Sequence, residues 1–439
     1  MKIAALLVLA AFALTASSRA MAQCEPQRFW PDFEPRPLEF GVAVAINDEH
    51  LLVVDRFADK VYTYRKGGDG DWTFNHTVPG ASGGAISLDG DRFLTGSLGV
   101  EAWGGGIVYE FNGERWSESG RIESFDDARW RYWGYCVTLF GDRAAMCNPN
   151  GAALLFREVE PGMWVHDDPM VVPSGVTGSG FGAALTMDGR FFVVGAPTEP
   201  ITGIHNGAVY VYEWDTEGNP QFVQRLEPPA ASVGPRLGSS LALIGDTLVV
   251  GAAGAQIGRE VFGAVYVYER TDDGWQMKQE LQAPEPEDGA FFGGSIAIHG
   301  DLLAIGATGE YSGGDGRGTV HLYRRTSEST WQHVDEVTLQ GAVGTGYGVA
   351  LDLASEQLVV GGRDTAHMGY DQGVADIYDL ACLLCKPDLD LDGTLTIFDF
   401  LVFANLFQDG RSEADFDGDG ELTIFDFLAF QDAFQAGCP

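Results

Sequence analysis

Two acidic clusters near the C-terminus have the residue types and spacing of cation ligands. Asp388-x-Asp390-x-Asp392-Gly393 leads to Asp399, and Asp415-x-Asp417-x-Asp419-Gly420 leads to Asp426. A hard divalent cation takes roughly six to eight oxygens, which a loop can supply from positions 1, 3, 5, 7, 9 and 12, with glycine at 6 for the turn. Counted that way, the donors are Asp388, Asp390, Asp392, Thr394, Thr396 and Asp399 in the first loop. In the second they are Asp415, Asp417, Asp419, Glu421, Thr423 and Asp426. Each loop runs into the same Thr-Ile-Phe-Asp-Phe-Leu-x-Phe segment. Single acidic turns occur on any soluble surface, and it is duplication in register that points to two bound Ca2+ ions.

Other chemistry is sparse. The eight histidines fall in turns or on strands without paired spacing. No His-Glu-x-x-His and no nucleophile-elbow serine occurs, and Cys382-x-x-Cys385 has no partner pair for zinc. Aspartates recur at one turn of a repeated unit (Asp91, Asp142, Asp188, Asp246, Asp301), where they favour tight turns. An active site should instead break the repeat. The clearest break is Arg129-Trp130-Arg131-Tyr132-Trp133-Gly134-Tyr135, with Trp103 in the loop before it. Trp103, Trp130 and Trp133 are the candidate ligand-binding rings, for stacking on a carbohydrate or gripping a peptide; the competing reading is that they fill the core between repeats.

The elements that would carry these residues are legible as a repeat. One copy runs from Phe181-Gly182 through Asp188-Gly189 to Val193-Val194-Gly195-Ala196 and then Val209-Tyr210-Val211-Tyr212. The template starts at Phe40-Gly41, Ser82-Gly83, Trp133-Gly134, Phe181-Gly182, Leu237-Gly238, Phe292-Gly293 and Tyr347-Gly348. Each unit spells three apolar strands with glycine-rich turns, then a fourth strand marked by an aromatic residue. Spacings of roughly 42 to 56 residues match a four-stranded propeller blade. The fourth-strand markers Trp72, Trp116, Trp164, Phe222, Trp275 and Trp331 serve six units, and the seventh lacks one. Arg28-Phe29-Trp30 is spare, so the N-terminal segment is expected to supply the missing outer strand and close the ring. The expected fold is mainly β, a seven-bladed β-propeller over 23–380 followed by a small α-helical module over 381–439.

The repeat resembles the FG-GAP unit of bacterial and integrin-like propellers over roughly residues 25 to 380, most fully at Phe181-Gly182 with Gly195-Ala196-Pro197. Calcium-binding blades of that family carry D-x-D-x-D-G between strands, and no blade here does, so no metal is expected in the propeller. The paired loops, with aspartate at position 12, resemble a type I dockerin over roughly Pro387 to Ala436. That resemblance implies a calcium-dependent plug for a cohesin-like protein partner. One departure stands out: such modules commonly carry small hydroxyl residues at loop positions 10 and 11, where this chain has Ile397-Phe398 and Ile424-Phe425. These four residues are the candidate partner-binding positions.

Residues 1–22 read as an export signal, with Lys2, an apolar run from Ile3 to Leu14 and Ala20-Met21-Ala22 before the cut. No later run reaches the ~18 apolar residues of a membrane helix. A net charge of −36 excludes a nucleic-acid partner by repulsion. In an oxidising exterior the six cysteines suggest three disulfides, with Cys136–Cys147 across a two-residue turn the best placed. Cys385 and Cys438 bracket the calcium module and could clasp its ends, which would leave Cys24 for Cys382. The expectation is an extracellular or cell-surface recognition or scaffold protein, not an enzyme, with a calcium module for attachment. The alternative is a polysaccharide-degrading enzyme carrying the same module.

Overall fold

The computed structural model describes residues 26–30, 39–68, 70–98, 104–123, 133–148, 151–167, 180–201, 204–229, 234–257, 260–309, 318–326, 330–338, 343–344, 346–363, 365–367, 370–371, 373–384, 387, 389, 395–408, 411, 414, 416 and 422–436. The chain divides into two units: 28–355 with 359–376, and 1–27 with 356–358 and 377–439. None of the described helices is long and apolar enough to cross a membrane.

The larger unit is mainly β and built of four-stranded antiparallel meanders, consistent with propeller-like blades. The first sheet runs Phe40–Ile46, His50–Asp55, Lys60–Lys66, Trp72–Pro79. The second (86–123) and third (137–166) have the same order and join at their outer strands through a parallel Met163–Arg121 pair. The fourth (185–226), fifth (241–281) and sixth (292–338) follow. In the last sheet, Tyr347–Leu353, Gln357–Gly362 and Val374–Asp379 are completed by Gln27–Phe29, which pairs beside Val374–Asp379. The outer strand therefore does come from the N-terminal segment, as the missing marker requires.

Residue patterning explains the layering. Second strands such as Phe191–Ala196, Thr247–Ala252 and Leu302–Ala307 are buried at every position, which accounts for their unbroken apolar sequences. Fourth strands bury Trp72, Trp116, Trp275 and Trp331 and expose polar residues after them, as in Trp331–Thr338; Trp164 is half-buried and Phe222 exposed. Each of the six aromatic markers lies in a fourth strand.

Neighbouring sheets interlock through glycine. A Cβ on Gly195 would fall on the carbonyl oxygen of Gly238 in the next sheet, and Gly238 itself has φ +89°. The relation repeats: Gly96 backs on Gly134, Gly251 on Gly293, Gly306 on Gly348, and Gly361 on Gly41 of the first sheet. The recurring glycine thus marks close backbone approach between sheets. The last sheet packs on the first through the same glycine contact, and the Ile46 N–H donates to Asp352 Oδ2 at 2.8 Å. Cys147 takes the glycine's place in the third sheet and is disulfide-bonded to Cys136 with Cα atoms 5.2 Å apart. The hairpin register, Phe140 opposite Arg143, sets those two cysteines across from each other. The other expected disulfides fall at Cys24, Cys382, Cys385 and Cys438, outside the described residues or side chains.

The smaller unit holds helices Leu380–Leu384, Ile397–Gln408 and Ile424–Ala436.

Candidate functional site

Both loop helices begin with a reciprocal cap. The Thr396 hydroxyl accepts from the Phe398 N–H at 3.1 Å, while Asp399 Oδ2 accepts from the Thr396 N–H at 2.7 Å. Thr423 and Asp426 repeat this at 3.1 and 2.6 Å. Threonine at the cap with an acid three residues on closes two orphan donors and starts the helix. Asp426 Oδ1 also accepts from the Phe416 N–H at 2.9 Å, tying the helix to the loop ahead of it.

These two aspartates are the position-12 residues, and both are fully buried. Capping accounts for their orientation. Their enclosure is a second feature, since an enclosed carboxylate favours positive charge beside it. The donor set is oxygen throughout, which fits calcium and not a soft or borderline metal. Bound there, the ion would supply positive charge to draw the loop carboxylates together. Thr396, Asp399, Thr423 and Asp426 are thus at the helix heads; Asp388, Asp390, Asp392, Thr394, Asp415, Asp417, Asp419 and Glu421 lie outside the described residues.

The helices pair through equivalent residues. Phe403 stacks on Phe430 with ring centroids 4.4 Å apart and planes 9° apart, and Phe400 meets Phe427 at 5.9 Å. The crossed contacts match, 6.2 Å for Phe400–Phe430 and 6.1 Å for Phe403–Phe427, so the two copies relate by a local dyad. Ala414, Phe416, Leu422 and Phe434 complete this small core. Mutual packing leaves one end uncovered. Ile397, Phe398 and Leu401 are 65, 57 and 44 % exposed, and their counterparts Ile424, Phe425 and Leu428 are 63, 62 and 47 % exposed. Position 12 fixes the helix start, and the helix start aims positions 10 and 11 outward. Sequence reading found those four residues; it missed Leu401 and Leu428, one turn on, which the period of the helix could have supplied.

The tryptophan candidates fare differently. Trp133 is buried in the core shared by the second and third sheets, paired with Gly104 by a parallel bridge, so no ligand reaches its ring. Trp103 and Trp130 lie outside the described residues.

A second departure from the repeat lies in the sixth sheet. Where other sheets place Tyr62, Tyr210 and Tyr266 in the third strand, this one has His321, opposite Glu336. His333 stands where the others have Phe74, Phe222 and Met277. Burial, and then the nearby His333, push His321 down to about 4.

A cavity of about 500 Å³ opens at the turns of the third and fourth sheets, lined by Phe140, Arg143, Arg157, Asp188 and Trp214 among others. Arg143 lies over the Trp214 ring at 4.4 Å.

Residues 275–323, from the fourth strand of the fifth sheet to the third strand of the sixth, match the FG-GAP repeat family. No curated protein matches the chain in sequence. Among solved structures, a Bacteroides uniformis protein described as a 6-phosphogluconolactonase is similar in fold: 13% identity, 72% of this chain and 94% of that chain covered, TM-score 0.49. One expectation is corrected. Uniform blades without an acid or nucleophile cluster pointed to a chain that is not an enzyme, but one fold hosts many chemistries in its loops, so the build of the repeat is no ground for excluding catalysis. At that identity the likeness assigns this chain no substrate.

Proposed function

We propose that this chain is an exported recognition protein in which a seven-bladed propeller presents a binding surface and the C-terminal module attaches it, with calcium, to a protein partner of the cohesin type. Support for seven blades comes from the recurrence of one four-stranded meander, with the N-terminal strand Gln27–Phe29 completing the last. Export rests on the Lys2 to Ala22 pattern and accords with the Cys136–Cys147 disulfide, which persists in oxidising compartments. Two Ca2+ ions, one per loop, would order the segments that lead into the helices.

One observation carries the attachment reading. The same three apolar side chains stand exposed at the head of each of two dyad-related helices, on a chain whose net charge is −36. A folded acidic protein has no reason to keep six large apolar side chains in water unless a partner covers them. Retention on the producing cell surface, measured for the full chain with and without a calcium chelator, tests it. Retention should need calcium and should fall at least tenfold in the Phe398→Ser, Phe425→Ser double variant. Equal retention of the variant and the parent would refute docking through this face.

The same module suits a polysaccharide-directed enzyme. The observation favouring that reading is the cavity beside Trp214, where arginines and carboxylates converge around a ring that Arg143 covers. Turnover of soluble polysaccharides that is lost in Trp214→Ala would establish it.

A further inference from the structure

We propose that His321, His333 and Glu336 form a binding site for a zinc-class divalent metal on the sixth sheet, separate from the calcium loops. One donor atom from each residue lies within 4.8 Å of the other two. His321 Nδ1 and Glu336 Oε2 are 3.2 Å apart. Ligands held at ~2.0–2.2 Å in a tetrahedron stand about 3.3–3.6 Å from each other, so this pair is already at coordinating separation. His333 and Glu336 are surface side chains and can close the remaining distance by rotation, whereas His321 is held in place by burial.

The second observation is at His321 itself. Its residue is 6% exposed, and its buried Nδ1 has no hydrogen-bond partner although the Glu336 carboxylate is nearby. A buried polar nitrogen left without a partner calls for an explanation. A buried ring nitrogen and a carboxylate oxygen 3.2 Å apart, with no hydrogen bond between them, are atoms that one metal ion would join.

Local architecture explains how residues three apart come to one face. A β-bulge between Leu322 and Tyr323 sets His333 opposite Tyr323 and Glu336 opposite His321. The extra residue restores the phase that strict alternation would have broken, so both side chains project on the His321 side. Other sheets have the same bulge but fill the positions with Tyr62, Phe74 and Thr77, or Tyr266, Met277 and Glu280. None of those sets offers two imidazoles. Asp335 and Glu285 add negative potential at Glu336, favourable to a cation. Two histidines and one glutamate leave a fourth position for water, the arrangement of an open zinc site.

Equilibrium dialysis and calorimetry of the full chain against Zn2+, with the calcium loops saturated by excess Ca2+, test the proposal, and Co2+ provides a visible d–d band. One site per chain is expected to be lost in His321→Tyr, which installs the residue that the fifth sheet has at this position (Tyr266) and should fold normally. In the surface variant His333→Phe the affinity should fall at least tenfold, and the Co2+ band should disappear. Absence of zinc uptake by the parent chain would overturn the proposal. So would undiminished uptake in His333→Phe, whatever the folding of the His321 variant, since any bound zinc would then lie elsewhere.

Discussion

Removing the Arg28 guanidinium should cost the larger unit several kcal/mol, although the residue belongs to a strand of only three residues. Asp376 is completely buried, and both of its oxygens accept from Arg28, Nε and Nη2 each at 2.7 Å. Tyr347 donates its hydroxyl to Oδ2 at 2.9 Å. Arg28→Met keeps the aliphatic stem and deletes the charge, leaving the carboxylate buried with the tyrosine. Breaking one partner out of a buried pair costs about 3–5 kcal/mol. With roughly 350 residues in the unit and an unfolding entropy of ~2.1 cal/mol/K per residue, that corresponds to a fall in Tm of about 4–7 °C. Differential scanning calorimetry reads it directly. The companion Arg28→Met, Asp376→Leu should recover most of the loss, because the charge that needed a partner is gone. If Arg28→Met melts within a degree of the parent, the N-terminal strand does not hold the last sheet closed, and the reasoning fails.

Three further outcomes follow from the same structure. Gly195→Ala should destabilise the chain by about 3 kcal/mol or abolish soluble expression, since its Cβ would meet the Gly238 carbonyl; Gly245→Ala, at an open turn with φ +54°, should cost only about 1 kcal/mol in the same urea titration. Burial raises Asp352 to about 6, against the lowering effect of the Ile46 and Leu353 N–H donors. Its folded pKa thus lies above the unfolded value, so the native state retains a proton between pH ~4 and ~6 and stability from this group falls as pH rises through that window. Asp352→Asn should flatten the pH dependence there by on the order of 1–3 kcal/mol, read as the difference between parent and variant unfolding curves. Chelating calcium should reduce helical circular dichroism from the 397–436 region and leave the β signal unchanged; a helical signal that is indifferent to chelator would show that the caps alone hold these helices.

What could be read from the sequence depended on periodicity. Strand order, the aromatic markers and the spare Arg28-Phe29 segment followed from counting, because each repeat must bury the same faces. The Cys136–Cys147 pairing followed from the two-residue turn at Gly141-Asp142. The glycines were read as turn residues, and their role as the seam between successive sheets needed coordinates, since Gly195 and Gly238 are far apart in the chain. Trp133 looked like an exception to the repeat and proved to be core, because an aromatic at a sheet entrance satisfies the same burial as Phe181 or Phe292. His321 and His333 escaped notice for the opposite reason. They have no spacing in sequence, and they meet only across a bulged strand pair; aligning the repeats would have exposed them as a tyrosine and a phenylalanine replaced. The expectation that uniform blades exclude catalysis did not stand, since a fold does not report the chemistry of its loops.

Attachment through the C-terminal module depends on calcium at the duplicated loops. The direct measurement is calcium stoichiometry by equilibrium dialysis on the full chain, parent against Asp388→Ala, Asp415→Ala. Two ions bound per parent chain and none at the same free calcium in the variant are predicted. A parent chain that takes up no calcium, or a double variant that still binds two, would contradict it.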